Sequence, residues 1–228
     1  MKRVEHTHVE ERRKLPRRAP VGAPPGTLIA DPRAVQSALS LTVISPEECH
    51  FYTDVSLADV ENACGQWPVI WLDCVGLANV ELIAEIGRIF GLHTLSLEDA
   101  INTGQRAKVD FFEDYAYVVL SMVDDPAQHR YEQMSVFFGE RFVITFQERP
   151  GDPFNAVRKR IEFSNPSRLR SHKADYLAYA LIDAIVDSYF APVESTSDKF
   201  MSMRPEIMSR CVSTSSIRLM VWSSVSLK

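Results

Sequence analysis

Leu95–Tyr115 reads LSLEDAINTGQRAKVDFFEDY, and the fold turns on how this stretch is divided. Its first half places two adjacent carboxylates, Glu98 and Asp99, among Leu95, Leu97, Ala100 and Ile101; its second half sets another acidic pair beside aromatics at Phe111, Phe112, Glu113 and Asp114. Thr94 or Ser96 is placed to cap a short helix running through Gln105, with Glu98 and Asp99 in its first turn. A strand, Asp114–Met122 (DYAYVVLSM), then begins. Two readings of the acids follow from their chemistry. Carboxylates complement the positive end of a helix, and their hard oxygens also suit Mg²⁺ or Ca²⁺.

Upstream, short extended runs alternate with turn signals: Thr27–Ala30, Leu39–Ser45, and His50–Asp54 after Pro46-Glu47-Glu48. Each is expected to be a strand. Val69–Val75 (VIWLDCV), bounded by Pro68 and Gly76, has the composition of a buried, central strand. The period then changes. Val80, Ile83, Ile86 and Phe90 fall on one face of a helix over Asn79–Phe90, and Gly91 is placed to stop it.

Downstream, Gln133–Phe138 and Arg141–Gln147 read as strands joined by a tight hairpin at Gly139-Glu140. Phe154–Phe163 is an amphipathic helix, apolar at Phe154, Val157 and Ile161. A long helix is expected from Ser171, exceeding five turns, because no Gly interrupts it and Pro first recurs at Pro192. Leu177, Leu181, Ala184, Ile185 and Ser188 mark one of its faces. Asp183 and Asp187 form a like-charge pair on another, which costs roughly a few tenths of a kcal/mol unless a cation or a neighbouring chain compensates.

With 228 residues and 46% hydrophobic content the chain can build a sizeable core. The net charge of −5 is unevenly spread: residues 1–18 hold seven Lys/Arg against three Glu, leaving −9 for the remainder. An acidic body attracts cations and disfavours anionic polymers, so no nucleic-acid partner is expected. Cys49, Cys64, Cys74 and Cys211 show neither a CxxC pair nor zinc-finger spacing and read as reduced thiols. The N-terminus lacks the apolar core of a secretory signal, which argues for the cytoplasm, and no run reaches the ~18–20 apolar residues of a membrane span.

The expected organisation is a flexible basic, Pro-rich arm over 1–25, an α/β domain over 26–170, the start of a long helix over 171–199, and a divergent tail over 200–228. That tail lacks acids after Glu206 and loses helical spacing, as in a disordered or frame-altered segment.

Five segments carry a resemblance. They are PPGTL (Pro24–Leu28), HTLSLEDAINTGQRAKVDFFEDY (His93–Tyr115), EQMSVFFGERFVITFQE (Glu132–Glu148), GDPFNAVRKRI (Gly151–Ile161) and ADYLAYALIDAIVDSYF (Ala174–Phe190). In order and spacing the chain resembles, from Pro24 to Asp198, the cytoplasmic domain of CorA-type divalent cation transporters. The resemblance implies an α/β/α sandwich with a mixed sheet, a stalk-type helix leading to two membrane helices, and a homopentamer enclosing one pore at the inner membrane. It also implies that Mg²⁺, with Co²⁺ or Ni²⁺ as further candidates, binds between neighbouring cytoplasmic domains and holds the channel closed. Asp99 matches the acid of the first intersubunit site; Glu98 and Asp183 match a second, weaker one.

The chain departs from that pattern in three places. The membrane helices and the Gly-Met-Asn pore signature are absent, so the 228 residues read as a soluble fragment that does not transport alone. The acid that would face Asp99 falls beyond the matching segment, and Gly104 stands where many relatives carry His. A zinc transporter of the same architecture is the nearest alternative, although Zn²⁺ would favour His or Cys ligands. A metal-dependent hydrolase built on Glu98, Asp99 and Asp183 finds no nucleophile elbow, phosphate loop or ordered triad to support it. A protein-binding adaptor would leave the acids passive. No enzymatic activity is expected.

Overall fold

The computed structural model describes residues 22–125, 130–163, 168–194, 196–198 and 201. The basic arm and the divergent tail therefore lie largely outside the described residues. In chain order the elements are β1 (Ala38–Ile44), β2 (Cys49–Thr53), α1 (Leu57–Gln66), β3 (Val69–Val75), α2 (Val80–Phe90), α3 (Thr94–Ile101) and β4 (Lys108–Phe111). There follow β5 (Tyr115–Asp125), β6 (Arg130–Gly139), β7 (Phe142–Gln147), α4 (Asn155–Phe163), α5 (Arg168–Ser171) and α6 (Ala174–Asp187).

β3 is apolar along nearly its whole length because both of its faces are covered. It pairs antiparallel with β1 and parallel with β7, inside a mixed seven-stranded sheet of order β2-β1-β3-β7-β6-β5-β4. Alternate residues serve different layers. Ile70, Leu72 and Cys74 join α1, α2 and α3 through Val60, Ile83, Ile86 and Leu97. Val69 and Trp71 join α4, α5 and α6 through Val157, Leu169, Leu177 and Leu181. The architecture is α/β/α, with one apolar core on each face of the sheet.

The helix over Asn79–Phe90 forms as its spacing requires. Asn79 accepts the Leu82 amide at the N-cap, and Gly91 closes the C-terminus in the left-handed conformation with φ 65°. Gly87 lets α2 approach α3 closely, because a Cβ there would collide with the Leu97 side chain.

Several expectations need correction. Thr27–Ala30 is not a strand; its backbone follows a turn in which Thr27 bonds back to Pro24. α1 and β4 are additions to the expected elements. α1 buries only Val60 and Ala63, a weak periodic signal, and owes its start to a Ser56–Asp59 capping box. The final helix is also shorter than expected. Arg168–Ser171 is a separate turn of helix, and α6 proper has 14 residues, fewer than five turns. A turn at Ser188–Tyr189 interrupts it before helical backbone resumes at Phe190. Pro192 explains the break, since it has no N–H to give the Ser188 carbonyl and its ring crowds that carbonyl. The Ser188 hydroxyl instead donates to the Ile185 carbonyl, and the Tyr189 hydroxyl donates to the Ser121 carbonyl of β5 at 2.7 Å.

One helical stretch among the described residues, Ala174–Asp198, is long and apolar enough to cross a membrane by length and composition alone, a test that a core helix also passes. Within it, α6 lays Ala174, Leu177, Ala178, Leu181 and Ile185 on the sheet.

Candidate functional site

α3 begins at Thr94 with His93 as its cap, rather than the expected Thr94 or Ser96, and ends at Ile101 rather than Gln105. Its start is clamped to β5. Tyr115 Oη accepts the His93 amide at 2.9 Å and lies 3.0 Å from Ser96 Oγ, while Phe112 stacks on Tyr115. Ser96, Leu97, Ala100 and Ile101 form the buried face, which leaves Glu98 and Asp99 half-buried on the opposite side. Neither acid lies in the first turn. They sit toward the C-terminal end, where the helix dipole opposes negative charge, so complementing a helix start does not explain them.

What does hold them is specific. Glu98 Oε2 accepts the Gly26 amide at 2.7 Å. Asp99 Oδ1 accepts Gln105 Nε2 at 3.1 Å, and Asp99 Oδ2 accepts Lys108 Nζ at 2.6 Å. The same Lys108 nitrogen lies 2.7 Å from Asp110 Oδ2 and over the Tyr117 ring. β4 sets this geometry: Lys108 and Asp110 are two residues apart on one face, opposite Val119 and Tyr117 of β5. Burial works against the Lys108 charge, but its hydrogen bonds to Asp110 and Asp99 outweigh that, so its pKa stands above the ordinary lysine value.

Gln133 of β6 fixes the connecting loop. Its Oε1 accepts the Gly104 and Gln105 amides, and its Nε2 donates to the Asp99 carbonyl. Lys108, Asp110 and Gln133 are neighbours of Asp99 that sequence reasoning misses. The KVDF alternation of Lys108–Phe111 is the available signal for the first two. Gln133 gives none, because its partners are backbone groups 28 to 34 residues away.

Asp183 is exposed on α6, in the layer on the other face of the sheet from α3. The structure thus keeps Glu98 and Asp99 together and Asp183 apart within one chain. Among the described residues, no three His, Cys, Asp or Glu side chains gather as a metal cage. A groove of about 750 Å³ beside α3 is lined by Leu28, Leu92, His93, Phe112 and Tyr115, among others, and by none of the three acids. The Asp99 and Asp110 carboxylates converge instead on one cationic nitrogen, that of Lys108. Mg²⁺ keeps several waters and needs few carboxylates.

A second polar cluster lies under α4. Asp73, buried on β3, accepts the Thr145 hydroxyl at 2.6 Å, and Thr145 in turn accepts Trp71 Nε1. Arg158 forms a bidentate pair with Asp152, approaches Asp73 to 3.6 Å and stacks on Trp71. Burial pushes the Asp73 carboxyl up to about 6, against the hydrogen bond from Thr145 that lowers it. Burial also pushes the neighbouring Cys74 thiol up to about 12, which leaves it unreactive.

The model of the family described as CorA-like Mg²⁺ transporter protein matches residues 68–218, ending past Asp198, where the resemblance read from the sequence stops. The cobalt/magnesium transport protein CorA of Thermotoga maritima is 35% identical over 193 residues, covering 83% of this chain and 55% of that protein. The magnesium transporter ALR2 of Saccharomyces cerevisiae is 34% identical over 133 residues, covering 55% of this chain and 15% of its own length. Among solved structures, the complete CorA magnesium transporter of Methanocaldococcus jannaschii superposes with a TM-score of 0.57 at 13% identity, over 77% of this chain and 52% of that one. The soluble domain of the same transporter gives 0.54 at 15% identity, over 76% and 65%. These two likenesses bear on the fold alone. The chain spans about half the length of the Thermotoga protein.

Proposed function

Because the chain belongs to the CorA-like Mg²⁺ transporter family, we propose that it is the metal-sensing, cytoplasmic part of a divalent cation channel at the inner membrane. In this reading the transported substrate is Mg²⁺, with Co²⁺ also accepted, and the chain works as one subunit of a homopentamer. Its arm over 1–25, domain over 26–170, stalk start over 171–199 and tail over 200–228 are the parts of that subunit. The membrane helices belong to a region C-terminal to the segment that resembles the family. It carries out no catalytic step.

The observation that carries the proposal is the match of residues 68–218 to the family model, with Asp99 held half-buried on α3. Asp99 takes the principal role, facing an acid of the neighbouring subunit. Glu98 and Asp183 form the second site, and their separation across the sheet of one chain suits a site completed by two chains. Bound Mg²⁺ supplies a hydrated dication that cancels the repulsion between facing carboxylates. Gln133 and Tyr115 keep α3 in place so that Asp99 meets its counterpart in a fixed orientation. A cation that prefers the closed interface raises the closed population by its differential affinity, and its removal lets the acids push the subunits apart.

Thermal melting and limited proteolysis test this reading. Millimolar Mg²⁺ is expected to raise the melting temperature and protect residues 93–115, and Asp99→Ala is expected to abolish both effects. An unchanged Mg²⁺ response in Asp99→Ala would remove Asp99 from the site.

A further inference from the structure

We propose that the groove beside α3 is the docking site for the chain's own N-terminal arm, and that the segment it takes is the proline- and arginine-rich stretch over residues 12–21. None of Glu98, Asp99 and Asp183 lines the groove, so the docking stands apart from the metal reading of those acids.

The groove encloses about 750 Å³, within the usual range for ligand pockets, and its lining divides by chemistry. One part is a stack of rings: His93 lies against Phe112 with centroids 5.9 Å apart, and Phe112 lies against Tyr115 at 4.5 Å. Another part is acidic. Glu113 and Asp114 are both exposed, and neither has an ion-pair partner among the described residues. Arg88 also lines the groove, but Glu61 and Glu85 already hold it at 2.7 Å each, so it does not neutralise those two acids.

Such a surface selects its ligand. Rings beside unpaired carboxylates suit an extended peptide that brings prolines to the rings and guanidinium groups to the acids. Proline loses little conformational freedom on docking, and arginine meets a carboxylate through two parallel hydrogen bonds. Residues 12–21 read RRKLPRRAPV, with five basic residues, two prolines and no acid.

The tether brings that stretch to the groove. Val21 joins Gly22, and four residues further Gly26 lines the groove, with its amide fixed by the Glu98 carboxylate at 2.7 Å. Residues 15–21 in polyproline geometry span about 20 Å, so the arm can run along the groove without a long linker. A segment joined this closely docks at an effective concentration on the order of millimolar, and contacts too weak to hold a free peptide then hold the arm. The effect falls on α3. His93 is its cap and Tyr115 accepts the His93 amide, and both line the groove, so a seated arm braces the start of that helix.

Hydrogen exchange of the full chain at the Leu95 and Phe112 amides reads occupancy of the groove. The wild type is compared with Arg17→Glu/Arg18→Glu, with Glu113→Arg/Asp114→Arg, and with the four substitutions together. Each charge reversal alone should speed exchange at both amides by about threefold or more, and the combination should restore the wild-type rates. Pro16→Ser/Pro20→Ser, which leaves the charge unchanged, should speed exchange as well. Glu162→Gln/Asp187→Asn neutralises two exposed acids in the layer on the other face of the sheet and should change the rates by less than about 1.5-fold, because screening weakens distant exposed charges.

Rates unaltered by either charge reversal overturn the docking. Rates altered by Glu113→Arg/Asp114→Arg but not by Arg17→Glu/Arg18→Glu give the two acids a purely local role and overturn it as well. A combined variant that stays as open as its parents overturns the pairing of arm and acids. Protection that rises with protein concentration over an about tenfold range assigns the groove to the arm of a second copy and overturns docking within one chain. Should Glu113→Arg/Asp114→Arg fail to fold, the arm-side and proline variants decide the matter alone.

Discussion

Asp73 is an acid held in an interior that favours its neutral form. Its carboxyl stands at about 6, above the ordinary aspartate value of 3.8, so the folded protein binds a proton more tightly than the unfolded chain does. The sign follows directly: stability from this group is present below about pH 4 and declines as pH rises from about 4 to about 6. A pKa raised by about two corresponds to about 2–3 kcal/mol. Asp73→Asn keeps an oxygen to accept the Thr145 hydroxyl and leaves Arg158 its Asp152 partner. We expect the variant to be more stable than wild type by about 2 kcal/mol at pH ~7.5, with the difference vanishing near pH ~4, as chemical denaturation at the two pH values would reveal. If Asp73→Asn is destabilised at the higher pH, the charged Asp73–Arg158 contact outweighs burial.

At the scale of elements, α3 shows which features are legible in the chain and which are not. Its apolar residues and the limits of α2 and β3 are legible because periodicity and caps are local: Asn79, Gly91 and Pro68 act on neighbours only a few positions away. The cap at His93 is not, because it depends on a Tyr115 hydroxyl 22 residues along. Asp99 is recognisable as a candidate from its family motif, whereas Lys108 and Asp110 become meaningful only once β4 forms and turns them toward α3. The final helix is the opposite case, since Pro192 is plain in the sequence, yet it acts on the carbonyl of Ser188, four residues earlier, and so shortens α6 ahead of its own position. Gln133 ties these pieces together through three hydrogen bonds to the α3–β4 connection. Replacing it with Leu removes all three from a partly buried loop and should cost about 2 kcal/mol or more. Hydrogen exchange at the Gly104 and Gln105 amides should accelerate in that variant while the β3 amides stay protected. Unchanged exchange at both sites would show that the loop is held by other means.

For the molecule as a whole, two cores share one sheet. β3 and β7 contribute to both, so neither layer can lose its packing without exposing strands that the other layer needs. Leu177→Ala opens a cavity beneath α6 and should cost about 2–5 kcal/mol. Despite lying on the opposite face, it should lower the midpoint of α2 and α3 unfolding by the same amount, giving one transition by circular dichroism and by exchange at Ile83. Separate transitions for the two layers would contradict a shared core. The Tyr189 tether gives this arrangement a mechanical side. Tyr189 grips a carbonyl of β5, an interior strand flanked by β4 and β6, at Ser121, whose register partner is Gln133. Tension applied beyond Phe190 would reach the sheet at a rivet set just past the hem that β4 makes along β5, on the same rung as the side chain that holds the Asp99 loop.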